Sequence, residues 1–562
     1  MYLRTTRRKN KDGTVATYYQ LAHNFRHPKT RRPTVKIIHN FGRAESLDRD
    51  DLVRLCRSIA RVCGVEVKDP LDGRGELFQG HDDGLPETVR LIETRELGTV
   101  YVIEALWERL GVGPVLRNIE RKEKIRVPYE RALFAMTANR LCEPESKLGV
   151  WDRWLSRVHL PSASSLKLPQ MYAAMDLLRR HAEEVEESVF FKTADLFSLT
   201  VDLVFYDVTS ATFEIDEEDP DGEAGEPGLR KYGKNSEGVW KPQVKVALAV
   251  TREGLPVRSW VFPGNTTDVK TVSRVKKDLR GWKLGRALFV GDGGMNSTEN
   301  REDLAKGAGK YILATRMGGV KEVREDVLNR AGRYTYISES LRAKEVTVGD
   351  GELRRRYIVC WNPQEEGRQR RHREAILAWL EEELPRHPSQ DATQKWAIEL
   401  LASRRYGRYL KVGRRSRIEI DYAAAKAAGK RDGKWVLMTN DDTLGTEDAA
   451  TGYRGLMVIE RCFRAMKKTR IRMLPMHHRL RERIEGHVKI CVLALLISRA
   501  AELATGRSWE KIRSELRRIQ ATEFRTPTHQ FCQRNELRTE AAQLLQALDM
   551  PAPTPVLDLR AT

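Results

Sequence analysis

Cysteine is scarce and unpatterned in this chain. The seven cysteines, Cys56, Cys63, Cys142, Cys360, Cys462, Cys491 and Cys532, are odd in number and scattered, with no C-x-x-C spacing. Neither a zinc site nor a disulfide framework is indicated, and a reducing cytosol fits. Long apolar runs are also missing: none reaches the roughly 18 residues that a membrane span requires. Cys491-Val-Leu-Ala-Leu-Leu-Ile497 is too short for that and reads as a core helix. The opening Met1-Tyr-Leu-Arg-Thr-Thr-Arg-Arg-Lys9 has no apolar stretch of the kind that directs export. A cytoplasmic, soluble protein without membrane contact is expected.

Positive charge is what the chain has in excess. Its 99 Lys and Arg outnumber 79 Asp and Glu, for a formal charge of +20. A polyanionic partner suits this balance, and nucleic acid is the obvious one. The excess is concentrated from Arg4 to Arg43 and again from Arg461 to Arg483. At 562 residues the chain should hold two to four folding units.

Three carboxylates stand where an acidic group calls for an explanation. Asp207 closes the run Leu203-Val-Phe-Tyr, and Asp292 follows Ala287-Leu-Phe-Val-Gly. Short continuous runs of this kind read as buried strands, so each aspartate is expected at a strand's C-terminal mouth, where α/β sheets bind ligands. Glu460 lies in the basic, apolar segment Tyr453 to Lys467. At about 100° per residue, Tyr453, Leu456, Glu460, Arg464 and Lys467 share one helix face, beside an apolar stripe of Ile459, Phe463 and Met466. Oxygen donors are what hard Mg²⁺ requires, and two such ions can activate a hydroxyl and stabilise the leaving oxygen of a phosphodiester. Asp202, at the start of its apolar run, reads as structural.

These residues, together with Tyr206-Asp-Val-Thr-Ser210, Leu229-Arg-Lys-Tyr-Gly-Lys234, Val261-Phe-Pro-Gly-Asn-Thr-Thr-Asp268 and Val290-Gly-Asp-Gly-Gly-Met-Asn-Ser297, resemble the DDE transposases of the IS4-like superfamily, most closely its IS1634-like group. The likeness spans roughly residues 200 to 500. The last segment is similar to the family signature Y-x2-R-x3-E-x6-K, with Tyr453, Glu460 and Lys467 in register and Leu456 where the arginine is expected. The resemblance implies Asp207, Asp292 and Glu460 as catalytic residues and ligands of Mg²⁺, with Mn²⁺ able to substitute. It implies phosphate contacts from Tyr453, Arg454, Arg464, Lys467, Lys468, Lys231 and Lys234. For Leu456, either a core position or a bypass by Arg464 or Arg454 is expected, with the Arg464 bypass favoured.

The expected fold is α/β: a ribonuclease H-like catalytic core interrupted by a mixed, β-containing insertion, preceded by a β and then helical DNA-binding region. A small basic sheet and a helix (Asp48 to Cys63) occupy residues 1–67, and Lys68 to Pro86 is a linker. Residues 87–198 are helical, including Val100 to Leu110, Tyr129 to Leu141 and Met171 to Phe197. Tyr129 to Leu155 reads as a plain helical hairpin or as a helix-turn-helix. Residues 199–320 are the first part of the core, 321–433 the insertion, 434–505 the second part with the Glu460 helix, and 506–562 a helical tail. Glu214 to Glu226, rich in Asp, Glu, Gly and Pro, reads as a solvated, mobile loop. Trp361, Tyr406 and Tyr409 are candidates to stack on a base, with core packing as the default for each.

The expected function is cut-and-paste transposition by an insertion-sequence transposase. The resemblance implies binding of double-stranded DNA at terminal inverted repeats, hydrolysis to free a 3′-OH, strand transfer, a homodimer joining two ends, and association with the bacterial nucleoid. Two alternatives share the features: a catalytically silent DNA-binding protein, and a ribonuclease H-like nuclease or resolvase.

Overall fold

The computed structural model describes residues 2–9, 15–26, 33–43 and 89–561, apart from residues 200, 223–224, 236–237, 283, 285–286, 352–353, 388 and 390. The chain divides into two compact units, Met1–Glu87 and Thr88–Thr562. The first unit contains an antiparallel sheet of Tyr2–Lys9, Val15–Arg26 and Pro33–Arg43. The expected Asp48 helix and the linker after it lie outside the described residues.

The second unit is mixed α/β, built on a large mixed sheet. Its central strands run in the order Pro256–Pro263, Trp240–Val250, Leu203–Thr212, Leu288–Gly291 and Tyr311–Thr315. The first three are antiparallel neighbours, and the last three are parallel. Strand residues alternate between two cores because successive side chains point to opposite faces. Leu203 and Phe205 join one core with the long helix Arg481–Thr505 and the helix Tyr129–Cys142. Val204 and Tyr206 join the other, against Val272, Val275 and Leu279 of the helix Asp268–Gly281. The sheet is thus a middle layer, and Cys491 to Ile497 are core, as expected. Among the described residues no helix is long and apolar enough to cross a membrane.

Several elements depart from the sequence reading. The strands Thr335–Ser338, Leu341–Val348 and Arg355–Trp361 extend the central sheet through Lys434–Thr439, so they are not part of a separate insertion beginning at residue 321. The part with its own small core starts at the helix Pro363–Glu383 and gathers Ile376, Leu380, Tyr409, Ile418 and Ala425. The tail is not simply helical: Gln520–Arg525, His529–Arg534 and Val556–Ala561 pair with Arg90–Glu96 in a four-stranded sheet. The expected helix from Met171 to Phe197 breaks at His181 into Leu168–Arg180 and Ala182–Leu196. After the helix Tyr129–Cys142, the second half of the hairpin is a series of short α and π turns from Lys147 to Arg157, which favours packing over groove reading.

Candidate active site

The parallel register decides how the two aspartates meet. Leu203 pairs with Leu288, Val204 with Phe289 and Phe205 with Val290, a constant offset that, continued, sets Asp207 beside Asp292. Neighbouring strands lie about 4.8 Å apart. Asp292 does stand at a strand mouth, as the first residue after Leu288–Gly291 and the cap of the turn Gly293–Met295. Asp207 does not: its strand runs on to Thr212, and Asp207 pairs with Leu248 on the antiparallel side. It is a mouth only relative to its shorter parallel neighbour.

Glu460 arrives from a helical run whose inner side is buried. Leu456, Ile459, Cys462, Phe463 and Met466 pack into the main core, while Glu460 and Arg464 remain exposed. The run is not one continuous helix. Thr446–Arg454 and Met457–Arg464 are separated at Gly455 and Leu456, and Ala465–Thr469 winds as a π turn. Gly455 allows the close approach, since a Cβ there would lie 2.3 Å from the Phe205 ring, two residues before Asp207. Leu456 is a core residue and not a gap on a DNA-facing edge, which overturns the expected bypass.

Electrostatics ties the three carboxylates together. Asp207 is half-buried and accepts a hydrogen bond from the Val208 amide at 2.8 Å. Burial, and then the charges of Asp292, Asp268 and Glu460, push its carboxyl up to about 7. Tyr453, half-buried beside them, has its hydroxyl pushed up by burial and then by Asp292, Asp207 and Glu460. Asp268 is a fourth charge that sequence reasoning passed over. It opens its helix at the end of the Val261 to Asp268 string, and its Oδ1 lies 3.5 Å from Lys245 Nζ.

The donor set is chemically right for a hard divalent cation: oxygen only, negative, and with like charges that repel until neutralised. Among the described residues, however, no three His, Cys, Asp or Glu side chains are drawn together tightly enough to hold one. Asp292 and Glu460, both exposed, are the arms with room to move.

The basic candidates separate into two groups. Lys467 is half-buried, and its Nζ donates to Thr209 Oγ1 at 3.1 Å and to the Ser210 carbonyl at 2.7 Å, on the Asp207 strand. With Lys468 it lines a recess of about 530 Å³ that also takes in Arg230, Arg472 and Arg479. Lys468, Arg464 and Lys234 are exposed, and Arg454 donates to Ser340 Oγ at 2.7 Å. Lys231 is buried and committed: its Nζ is 2.8 Å from Asp221 and 3.4 Å from Glu218. These acids belong to the loop expected to be solvated and mobile; its described residues are mostly exposed, and Asp219 pairs with Arg230 at 2.5 Å and Glu214 with Lys241 at 2.7 Å. The stacking candidates are packed within the protein, Trp361 on Tyr334, Tyr406 on Trp379, and Tyr409 in the insertion's core.

Residues 205–497, which include all three carboxylates, match the family described as Transposase DDE domain. The chain belongs to the DDE transposase family. Residues 3–69 of this transposase match a second description, IS1634 family transposase, N-terminal domain. No curated protein matches it. Among solved structures, a piggyBac transposase synaptic complex with hairpin DNA is similar at a TM-score of 0.32 and 9% identity, over 75% of this chain and 79% of that one. That likeness is too distant to bear on the site.

Proposed function

We propose that this transposase acts on the ends of an insertion sequence of the IS1634-like group, within the IS4-like superfamily. It would bind terminal inverted repeats in double-stranded DNA, free a 3′-OH by hydrolysis and join that end to a target, as a homodimer associated with the bacterial nucleoid. The observation that carries this reading is the strand offset that sets Asp207 beside Asp292, with the Glu460 charge felt at both Asp207 and Tyr453. The strand order supports a ribonuclease H-like core, three antiparallel strands followed by two parallel ones.

Asp207, Asp292 and Glu460 would hold Mg²⁺ or Mn²⁺, which when bound supplies Lewis acidity and a more acidic water. Tyr453, whose hydroxyl is protonated near neutral pH, would donate a hydrogen bond to a phosphate oxygen. Lys467 fixes the strand segment just beyond Asp207, and the Lys468, Arg472 and Arg479 side of the recess offers positive charge to a backbone phosphate. The leucine at 456 gives no support to a catalytically silent protein, since its burial accounts for it.

A duplex bearing the element's native end tests the proposal. The wild type should cleave it and transfer the strand, whereas Asp207→Asn, Asp292→Asn and Glu460→Gln should each bind the duplex without cutting. Cleavage retained by one variant removes that residue from the site, and cleavage without any strand transfer would make the protein a nuclease.

A further inference from the structure

The four-stranded sheet of Arg90–Glu96, Gln520–Arg525, His529–Arg534 and Val556–Ala561 carries an apolar row across its full width. Leu91 is opposite Phe524, Phe524 opposite Phe531, and Phe531 opposite Leu559. Directly opposed residues share a face, so these four side chains line up. The two phenylalanine rings stack at 5.3 Å, and the ends of the row are open: Leu91 is 61% and Leu559 62% exposed. The other face carries Glu93, Glu523, Cys532 and Asp558, where Cys532 Sγ lies 3.8 Å from His159 Nδ1.

An apolar row that continues onto an outer strand is a template for association. Val556–Ala561 is that strand, and among the described residues it pairs only with His529–Arg534. Its sequence, Val-Leu-Asp-Leu-Arg-Ala, indicates the occupant. An acid and a base flank Leu559 symmetrically, and both stand on one face, since Arg560 Nε reaches Asp558 Oδ2 at 2.7 Å within the strand. Two copies paired antiparallel about Leu559 would set Asp558 against the partner's Arg560, Arg560 against the partner's Asp558, and Leu559 against the partner's Leu559. A twofold interface demands this self-complementarity of a single patch.

We propose that Val556–Ala561 is a homodimer edge, through which a second copy of this chain joins its sheet to form one eight-stranded sheet with a continuous row of eight apolar side chains. The pairing involves none of the DDE carboxylates and needs no DNA. It therefore stands or falls apart from the catalytic reading.

Sedimentation of the full-length protein without DNA, over about 1–50 µM, tests it. The wild type should dimerise. Asp558→Arg sets arginine against arginine and Arg560→Asp sets aspartate against aspartate, so each alone should associate about tenfold more weakly or not at all. An equimolar mixture of the two should dimerise again, and so should the double swap Asp558→Arg/Arg560→Asp, which carries the test even where a single variant misfolds. A wild type that stays monomeric, single variants that dimerise as well as the wild type, or a mixture and a double swap that both stay monomeric would each overturn the proposal.

Discussion

Replacing Asp207 by asparagine should make the metal-free protein more stable, even as it destroys cleavage. The carboxyl is pushed from 3.8 up to about 7, first by burial and then by Asp292, Asp268 and Glu460. A folded pKa above the unfolded one means the native state holds the extra proton, so the contribution to stability is full below about pH 4 and is lost as pH rises through 7. At about 1.4 kcal/mol per unit, three units correspond to about 4 kcal/mol of destabilisation above pH 8. Asp207 keeps some solvent contact, which reduces that to roughly 1–3 kcal/mol. Asparagine retains an Oδ1 to accept the Val208 amide and carries no charge, so it removes the penalty without leaving that donor unpaired.

Thermal melting in a chelating buffer, from pH 4.5 to 8.5, reads this out. For a unit as large as residues 88–562 the unfolding entropy is on the order of 1 kcal/mol per degree, so Asp207→Asn should melt about 1–3 °C above the wild type at pH 8. The difference should shrink toward zero near pH 4.5. Adding Mg²⁺ should raise the wild type and leave the variant where it was, because only the charged site gains from the cation. A variant that melts at or below the wild type at pH 8 would refute the account of Asp207 as a repelled, desolvated carboxylate.

Leu456→Arg should unfold or precipitate the protein, because an arginine there would bury a charge in the main core at a cost of several kcal/mol; soluble, cooperatively melting protein would contradict that. Lys467→Ala should slow cleavage by roughly 10–100-fold through loosening of the Asp207 strand, while the salt dependence of DNA binding stays unchanged, since the ammonium is already held by Thr209 and Ser210. A shallower salt slope would show instead that it contacts phosphate. Asp221→Asn combined with Glu218→Gln should free Lys231 and steepen the salt dependence by about one phosphate contact, measured by titrating duplex binding against salt; an unaltered slope would leave Lys231 a purely structural cation.

The strands that carry the aspartates were legible because buried parallel strands are continuous apolar runs, and Leu203–Tyr206 and Leu288–Val290 are both of that kind. What the runs could not give was their offset, which depends on hydrogen bonds between segments far apart in the chain. The same blindness put Thr335–Trp361 into a separate insertion: the partner that draws them into the sheet, Lys434–Thr439, lies beyond the whole helical excursion. Gln520–Arg525 and His529–Arg534 went unread because Thr, Glu, Gln and Arg dilute their alternation below what a half-buried strand usually displays. The acidic loop is solvated, as its composition suggests, but composition counts its charges and not their partners, so the pairs with Arg230, Lys231 and Lys241 were not legible.

Leu456 exposes the limit of periodicity more sharply. A helical wheel assumes one phase, and from Tyr453 to Lys467 that phase is broken twice, at Gly455–Leu456 and at the π turn from Ala465. The two breaks have opposite consequences. The first turns Leu456 into the core while Gly455 lets the chain settle against Phe205, which holds the segment close to Asp207. The second sets Lys467 onto Thr209 and Ser210, so that the lysine grips the strand that carries Asp207. Spacing of Tyr, Glu and Lys along the sequence therefore does not record a shared helix face. A substitution that restored regular winding would move Glu460 and Lys467 relative to Asp207 without changing any of the three residues.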